Sequence, residues 1–81
     1  MNNFSNSFAR IYVTGNQVNI INNTTDQLEG KLMIYSMQGQ LVYERSVHLD
    51  RSRKIPVYLE NGCYILQFIA ESGICSTKAC L

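Results

Sequence analysis

Three cysteines, Cys63, Cys75 and Cys80, and one histidine, His48, are the most chemically reactive residues of this chain. A cysteine nucleophile needs an imidazole beside it to remove its proton. However, His48 falls in a polar stretch that we expect to be a loop, whereas the cysteines fall in strand-like runs. Zinc sites need ligands at characteristic spacings, and none of those spacings occurs in the sequence. The sequence therefore predicts neither nucleophilic catalysis nor a metal site.

The oxidation state of the cysteines has two alternatives. If residues 71–72 form a two-residue hairpin loop, Cys63 lies opposite Cys80 and the two can form a disulfide. Bridges directly across neighbouring strands tend to be strained, and a shift of one residue in the register would separate the pair. We therefore favour three reduced thiols that pack as small hydrophobic side chains, and the disulfide remains the alternative.

The remaining residues give no pattern for catalysis or for phosphate binding. No two carboxylates are spaced for shared acid–base work, and the glycines stand alone as turn residues. The densest basic cluster, Arg51, Arg53 and Lys54, lacks the interleaved aromatic residues of a nucleic-acid site and is typical of a solvated loop. A net charge of +1 gives no general attraction to nucleic acid or anionic lipid. We predict a protein that is not an enzyme, uses no cofactor and binds no nucleic acid.

The length and composition predict one folded domain. The chain has 81 residues, 46% of them hydrophobic, which is a normal globular composition and leaves no room for a second core. We assign residues 1–7 to a flexible tail and residues 8–81 to the domain. No run approaches the ~18 apolar residues of a membrane span, so we predict no membrane insertion. Residues 1–7 lack the features of a signal peptide, so the chain is either cytoplasmic or a fragment of a secreted protein.

Short apolar segments separated by turn residues make up the chain. Alternating apolar and polar residues with no helical period, and a turn signal every 8–12 residues or so, are typical of an all-β sandwich. The pattern predicts a small antiparallel β-sandwich of about seven strands. We expect the strands at 8–13, 17–21, 28–37, 41–47, 55–59, 63–70 and 74–81. Pro56 cannot donate to a ladder, so we expect its strand at a sheet edge.

The stretch from Tyr58 to Ala70 contains a turn signal at residues 60–62, and the longest apolar run of the chain follows directly after it. We expect a strand at the centre of the core, buried on both faces. Ile65 and Ile69 would lie on the face opposite Tyr64, Leu66 and Phe68. An apolar outer face on an antiparallel sandwich suggests a partner, such as a second subunit, a passenger domain or an assembly factor.

Three blocks of the chain resemble the motifs of one known family. Leu32–Val42 is similar to hydrophobic-x-Ile-Tyr-Asp-x-x-Gly-Lys-x-Val, and Leu59–Leu66 is similar to Leu-x-x-Gly-x-Tyr-x-Val. Gly73–Lys78 resembles a closing Gly-x-x-x-x-Lys strand. In order and spacing they resemble the C-terminal sorting domains of the type IX secretion system, the Por secretion tail family. Members of that family are Ig-like β-sandwiches of about this length at the ends of secreted proteins.

The resemblance implies a function in recognition. It implies a non-catalytic sorting or anchoring domain that the outer-membrane type IX machinery of a Gram-negative bacterium recognises, on a secreted or cell-surface protein. The implied motif positions are Gly39, Gly62, Tyr64, Gly73 and Lys78. Lys78 is the solvent-facing candidate for contact with the machinery, and the others have mostly structural roles. The alternative is an Ig-like protein-interaction module that forms a homodimer or serves as an accessory domain of a surface protein.

Overall fold

The computed structural model describes residues 8–81, which form seven strands and no helix. The predicted flexible tail, residues 1–7, lies outside the described residues. The strands are β1 Ala9–Thr14, β2 Gln17–Asn22, β3 Leu28–Ser36, β4 Leu41–Leu49, β5 Ser52–Pro56, β6 Cys63–Ala70 and β7 Gly73–Cys80.

Two antiparallel sheets pack face to face. The first has the strand order β1-β2-β5 and the second has the order β4-β3-β6-β7. Since each strand alternates between apolar and polar positions, each sheet can direct one set of side chains into the shared core. The predicted all-β fold, a small antiparallel β-sandwich of seven strands, is confirmed.

The core lies between the inner faces of the two sheets, and β6 supplies its largest side chain. Phe68 is 0% exposed and Leu66 is 2% exposed, which confirms that this strand lies at the centre of the core. Ile65 and Ile69, on the outer face, keep partial exposure, so the prediction of burial on both faces is only half correct. The other core side chains are Ala9, Ile11, Val18, Ile20, Leu28, Leu32, Ile34, Val47, Leu49, Ile55 and Val57.

The fifth strand begins earlier and ends earlier than the sequence predicts. It covers Ser52–Pro56, so the prediction of a charged loop up to Lys54 is wrong, and so is a strand that continues to Leu59. Pairing with β2 is the physical reason, because it sets Lys54 opposite Asn19 and buries Ile55 opposite Val18. The strand is an edge strand and Pro56 is its last residue, as the missing N–H of proline predicts.

The fourth strand also differs from the prediction. It continues to Leu49 because Val47 and Leu49 both reach the core, 3% and 0% exposed. His48 lies between them in the strand and points away from the core, so its predicted position in a loop is wrong. At the other end of the β3–β4 pair the register shifts between Ile34 and Tyr35.

Gly30 lies at a close approach of β3 to β6. A Cβ atom at this position would collide with the backbone carbonyl oxygen of Ile69 and would lie 3.1 Å from the ring of Phe68. A glycine inside a strand often marks such an approach. The missing side chain therefore lets the central pair of strands pack beside the largest core residue.

Candidate functional site

The outer face of the four-stranded sheet combines apolar side chains with lysines. We use the name outer face for the side chains of β3, β6 and β7 that point away from the core. By register they are Glu29, Lys31, Met33 and Tyr35 of β3, Cys63, Ile65, Gln67 and Ile69 of β6, and Ile74, Ser76, Lys78 and Cys80 of β7.

The centre of the outer face is apolar and half-buried, whereas its β7 side is exposed. The Tyr35 hydroxyl lies 3.7 Å from the sulfur of Met33, so these two side chains cover each other. Ile74 is 61% exposed although it is a large apolar residue. Tyr43 of β4 does not belong to this face, because it packs against the core opposite Ile34.

The two lysines of the outer face differ in their partners. Lys31 Nζ lies 3.0 Å from Glu44 Oε2 on the neighbouring strand, and that pair is exposed. Lys78 is exposed, lies opposite Ile65, and forms no ion pair with any of residues 8–81. Lys78 is therefore an exposed cation beside one apolar side chain, with its charge available to an outside group.

A disulfide joins β6 and β7 at their open end. Cys63 and Cys80 are directly opposite in the register, their sulfur atoms are 2.01 Å apart, and their Cα atoms are 3.9 Å apart. One residue further out, Leu81 N donates to Gly62 O at 2.7 Å and Gly62 N donates to Leu81 O at 3.2 Å. The favoured state with three reduced thiols is therefore wrong, because the two-residue turn sets the register that brings this pair together.

The remaining cysteine, Cys75, is a half-buried free thiol on the inner side of β7. Burial raises its pKa, and its Sγ donates to the carbonyl oxygen of Ala9 at 2.9 Å. His48 is on β4, at the opposite edge of the same sheet. The structure therefore does not pair a histidine with this thiol, and the thiol is held in its protonated form, which is a weak nucleophile.

Four of the five motif positions lie at one end of the four-stranded sheet. Because Ser36 pairs with Tyr64, the β3–β4 turn that carries Gly39 lies at the same end as Gly62, Tyr64 and the Ile65–Lys78 row. Gly39 has a φ of +91° in an open turn, where only glycine is unstrained. Gly73 follows the β6–β7 turn at the opposite end of the strands.

His48 lies between two carboxylates on the surface. Its Nδ1 lies 3.4 Å from Glu29 Oε2 and its Nε2 lies 3.1 Å from Asp50 Oδ1, and all three side chains are exposed. Residues 8–81 contain no group of three or more histidine, cysteine or acidic side chains that is suited to hold a metal ion. Nor do they contain a helix with the length and apolarity that a membrane span requires.

Two features of the site were missed by the sequence reasoning. One is the Gly30 approach, for which an isolated glycine inside a strand was the available signal. The other is the position of β7 at the edge of its sheet. A pattern of apolar residues cannot give strand order, because pairing partners are distant in the sequence.

Comparison with known protein families identifies the family of the chain. The family model described as "Secretion system C-terminal sorting domain" matches residues 13–80. The matched range covers β2 to β7 in full and includes all five motif positions. No curated protein matches the chain.

Proposed function

The chain belongs to the family of secretion system C-terminal sorting domains, and from this premise we propose how it is recognised. It is a sorting signal of type IX secretion and hence part of an exported protein. In our proposal it acts without catalysis, and the outer-membrane machinery of a Gram-negative bacterium binds it directly, so that its passenger reaches the cell surface. The family match over residues 13–80 is the observation that carries the proposal.

We propose that the glycine and tyrosine motif residues act by fixing the turns at the two ends of the sheet. Gly39 permits the β3–β4 turn, and the ring of Tyr64 folds against the chain that enters β6, where its hydroxyl donates to Glu60 O. Gly73 closes the β6–β7 turn next to Phe8, whose ring would lie 3.6 Å from a Cβ at that position. These residues would hold the surface rigid, so binding would cost little ordering entropy.

Lys78 is the residue that we propose to contact the machinery. It is exposed, it has no carboxylate partner among residues 8–81, and its neighbour across the ladder is the apolar Ile65. Binding that removes water from Lys78 and a partner carboxylate would strengthen the attraction between the two charges. A machinery surface with an acidic group among apolar side chains would complement this arrangement.

A non-catalytic role is supported by how far apart the reactive side chains lie. His48 is on β4, the protonated thiol of Cys75 is on β7, and the other two cysteines are joined in a disulfide. General acid–base or nucleophilic catalysis needs such groups within hydrogen-bond distance of one another or of a common substrate.

The test is export of a reporter. A signal peptide, a reporter domain and residues 1–81 would be fused in that order and expressed in a host that has the type IX machinery. We expect antibody to label the reporter on intact cells, and we expect no labelling in an otherwise identical strain without the outer-membrane translocon. Retention of the reporter in the periplasm of both strains would contradict the proposal.

Self-association through the outer face stays a prediction. Its support is the set of half-buried apolar residues there, Met33, Tyr35, Ile65 and Ile69. Light scattering over a range of concentrations measures it, and a monomer at the highest concentration would count against it.

A further inference from the structure

We infer that the free edge of β7 is the surface on which the domain is bound, and that it accepts an extended strand of a partner protein. The partner strand carries an apolar residue against Ile74 and a carboxylate against Lys78. The inference rests on the proposed function for the identity of the partner as a component of the secretion machinery. It adds the mode of binding and the chemistry of the bound segment.

The register shows which backbone groups of β7 are free. In an antiparallel pair, opposite residues alternate between pairs that exchange both hydrogen bonds and pairs that exchange none. Gly62 and Leu81 exchange both bonds, so the next pair, Cys63 and Cys80, exchanges none. By this alternation, the N–H and C=O groups at four positions point away from β6. They are Ile74, Ser76, Lys78 and Cys80.

No described backbone group bonds to them, and β1, which lies beside β7 in the other sheet, is not paired with it. None of the loop and turn hydrogen bonds of residues 8–81 involves a backbone group at any of the four positions. A row of unpaired N–H and C=O groups spaced two residues apart is matched by an extended strand, whose own groups have the same spacing. A helix cannot match it, because its backbone groups are already paired.

Among the edge strands, β7 is the least protected against pairing. β5 ends in Pro56, which discourages strand addition. β4 pairs with β3 through a register shift and carries the charged residues Glu44 and Arg45, which also discourage it. β1 is shorter, and its Ala9 carbonyl accepts the thiol of Cys75. β7 has eight residues, pairs with β6 without a register shift and contains no proline.

The side chains at the free positions define the chemistry of the occupant. Ile74 and Lys78 lie on the same face of β7, about 13 Å apart along the strand. A strand that pairs with β7 therefore presents an apolar side chain and a carboxylate four residues apart. A second copy of β7 does not meet this requirement, because Lys78 is the only charged residue of the strand.

The first experiment uses the export assay with two proline variants. Ser76→Pro removes an N–H group that points away from β6, so the β6–β7 ladder keeps its bonds while an incoming strand loses one. Ser46→Pro is the matched control, because continuing the alternation across β3 gives Ser46 an N–H group that points away from β3, on the opposite edge of the sheet. We expect surface labelling to fall at least tenfold for Ser76→Pro and to stay within twofold of the parent for Ser46→Pro.

A charge variant keeps the inference testable if Ser76→Pro does not fold, which urea unfolding of the purified domain would reveal. Lys78→Glu should reduce surface labelling at least tenfold, whereas Lys78→Arg should retain it. The inference is overturned if the parent fusion reaches the surface and the folded Ser76→Pro or Lys78→Glu fusion does so equally well. If the parent fusion itself stays in the periplasm, the proposed function fails instead.

Amide hydrogen exchange of the purified domain tests the structural premise separately. We expect the amides of Ile74, Ser76 and Lys78 to exchange faster than those of Cys75 and Thr77, which bond to β6. Equal protection of both sets would overturn the inference. Protection of the first set that increases with protein concentration would show that a second copy occupies the edge, which would also overturn it.

Discussion

The hydroxyl group of Tyr64 donates a hydrogen bond to the carbonyl oxygen of Glu60, 2.7 Å away. Gly62 lies between them, and a Cβ atom on this glycine would lie 3.9 Å from the nearest ring atom of Tyr64. The tyrosine therefore folds back over the turn that precedes β6 and fastens it. The Gly-x-Tyr pair of the sequence is a single structural unit, in which the ring of Tyr64 packs over the turn that carries Gly62.

Removing the hydroxyl group tests how much this unit stabilises the domain. Tyr64→Phe keeps the ring and loses one hydrogen bond, so we expect the free energy of unfolding to fall by about 0.5–1 kcal/mol, the lower part of the usual range because the bond is exposed. Tyr64→Ala also loses the packing of the ring and should cost about 3 kcal/mol. Urea unfolding followed by circular dichroism measures both. A Tyr64→Phe variant as unstable as Tyr64→Ala would contradict this division.

Because β3 and β6 approach closely at Gly30, we expect a single methyl group at this position to destabilise the domain. Gly30→Ala places a Cβ against the carbonyl oxygen of Ile69, so the central strands must move apart, at a cost of about 2–3 kcal/mol. Gly15→Asn is the control, since Gly15 has a φ of +60°, which asparagine tolerates, and nothing lies within 4 Å of its Cβ position. Urea midpoints of the two variants make the comparison, and equal losses would refute the steric explanation.

The sequence predicts a strand where buried apolar residues alternate with polar ones. It does not predict a strand whose residues are extended only because they pair with a neighbouring strand. Strand β2 follows from Val18 and Ile20 because both point into the core. Ser52 and Lys54 give no such signal, and they are in a strand only because Ile21 and Asn19 pair with them. The chemistry of the site follows the same rule. Lys78 is visible in the sequence, but its unpaired edge depends on strand order.

The disulfide between Cys63 and Cys80 should stabilise the domain by restricting the unfolded chain. The bridged residues are 17 apart in the sequence, for which loop-closure entropy predicts about 3 kcal/mol. We expect the double variant Cys63→Ser with Cys80→Ser to lose about 2–3 kcal/mol, and we expect dithiothreitol to lower the stability of the parent but not of the variant. The comparison requires urea unfolding of both proteins with and without the reductant. An equal effect of the reductant on both would contradict the bridge.

Because the thiol of Cys75 is half-buried, we expect the folded domain to lose stability in alkaline solution. Burial raises its pKa in the folded domain, so the folded state holds its proton more tightly than the unfolded state does. The stabilisation is complete below the unfolded-state pKa, 9.0, and is lost as the pH rises from there through the folded-state pKa. We expect the difference in unfolding free energy between the parent and Cys75→Ser to be constant from pH 7 to 8 and to shrink above pH 9. A difference that stays constant up to pH 10 would refute this.

The side chain of Asn22 connects two loops at the end of the sandwich opposite the disulfide. Its Nδ2 donates to the carbonyl oxygens of Asp26, at 2.6 Å, and Asp50, at 2.8 Å. Its Oδ1 accepts from the backbone N–H of Thr24 at 2.8 Å and from the Thr24 hydroxyl at 2.7 Å. The amide thus fixes the β2–β3 loop and ties it to the loop between β4 and β5.

Substitutions at Asn22 should separate these two functions. Asn22→Ala loses every side-chain bond, but water can reach the exposed partners, so we expect a loss of about 1–2 kcal/mol. Asn22→Asp keeps the acceptor for Thr24 and replaces the donor by a carboxylate that faces two carbonyl oxygens, so it should be no more stable than the alanine variant. Asn23→Ala is the control, because Asn23 is exposed and its side chain bonds to none of residues 8–81. If urea unfolding finds Asn22→Asp as stable as the parent, the donated bonds contribute nothing, and the connection to the β4–β5 loop is not what holds this end of the sandwich.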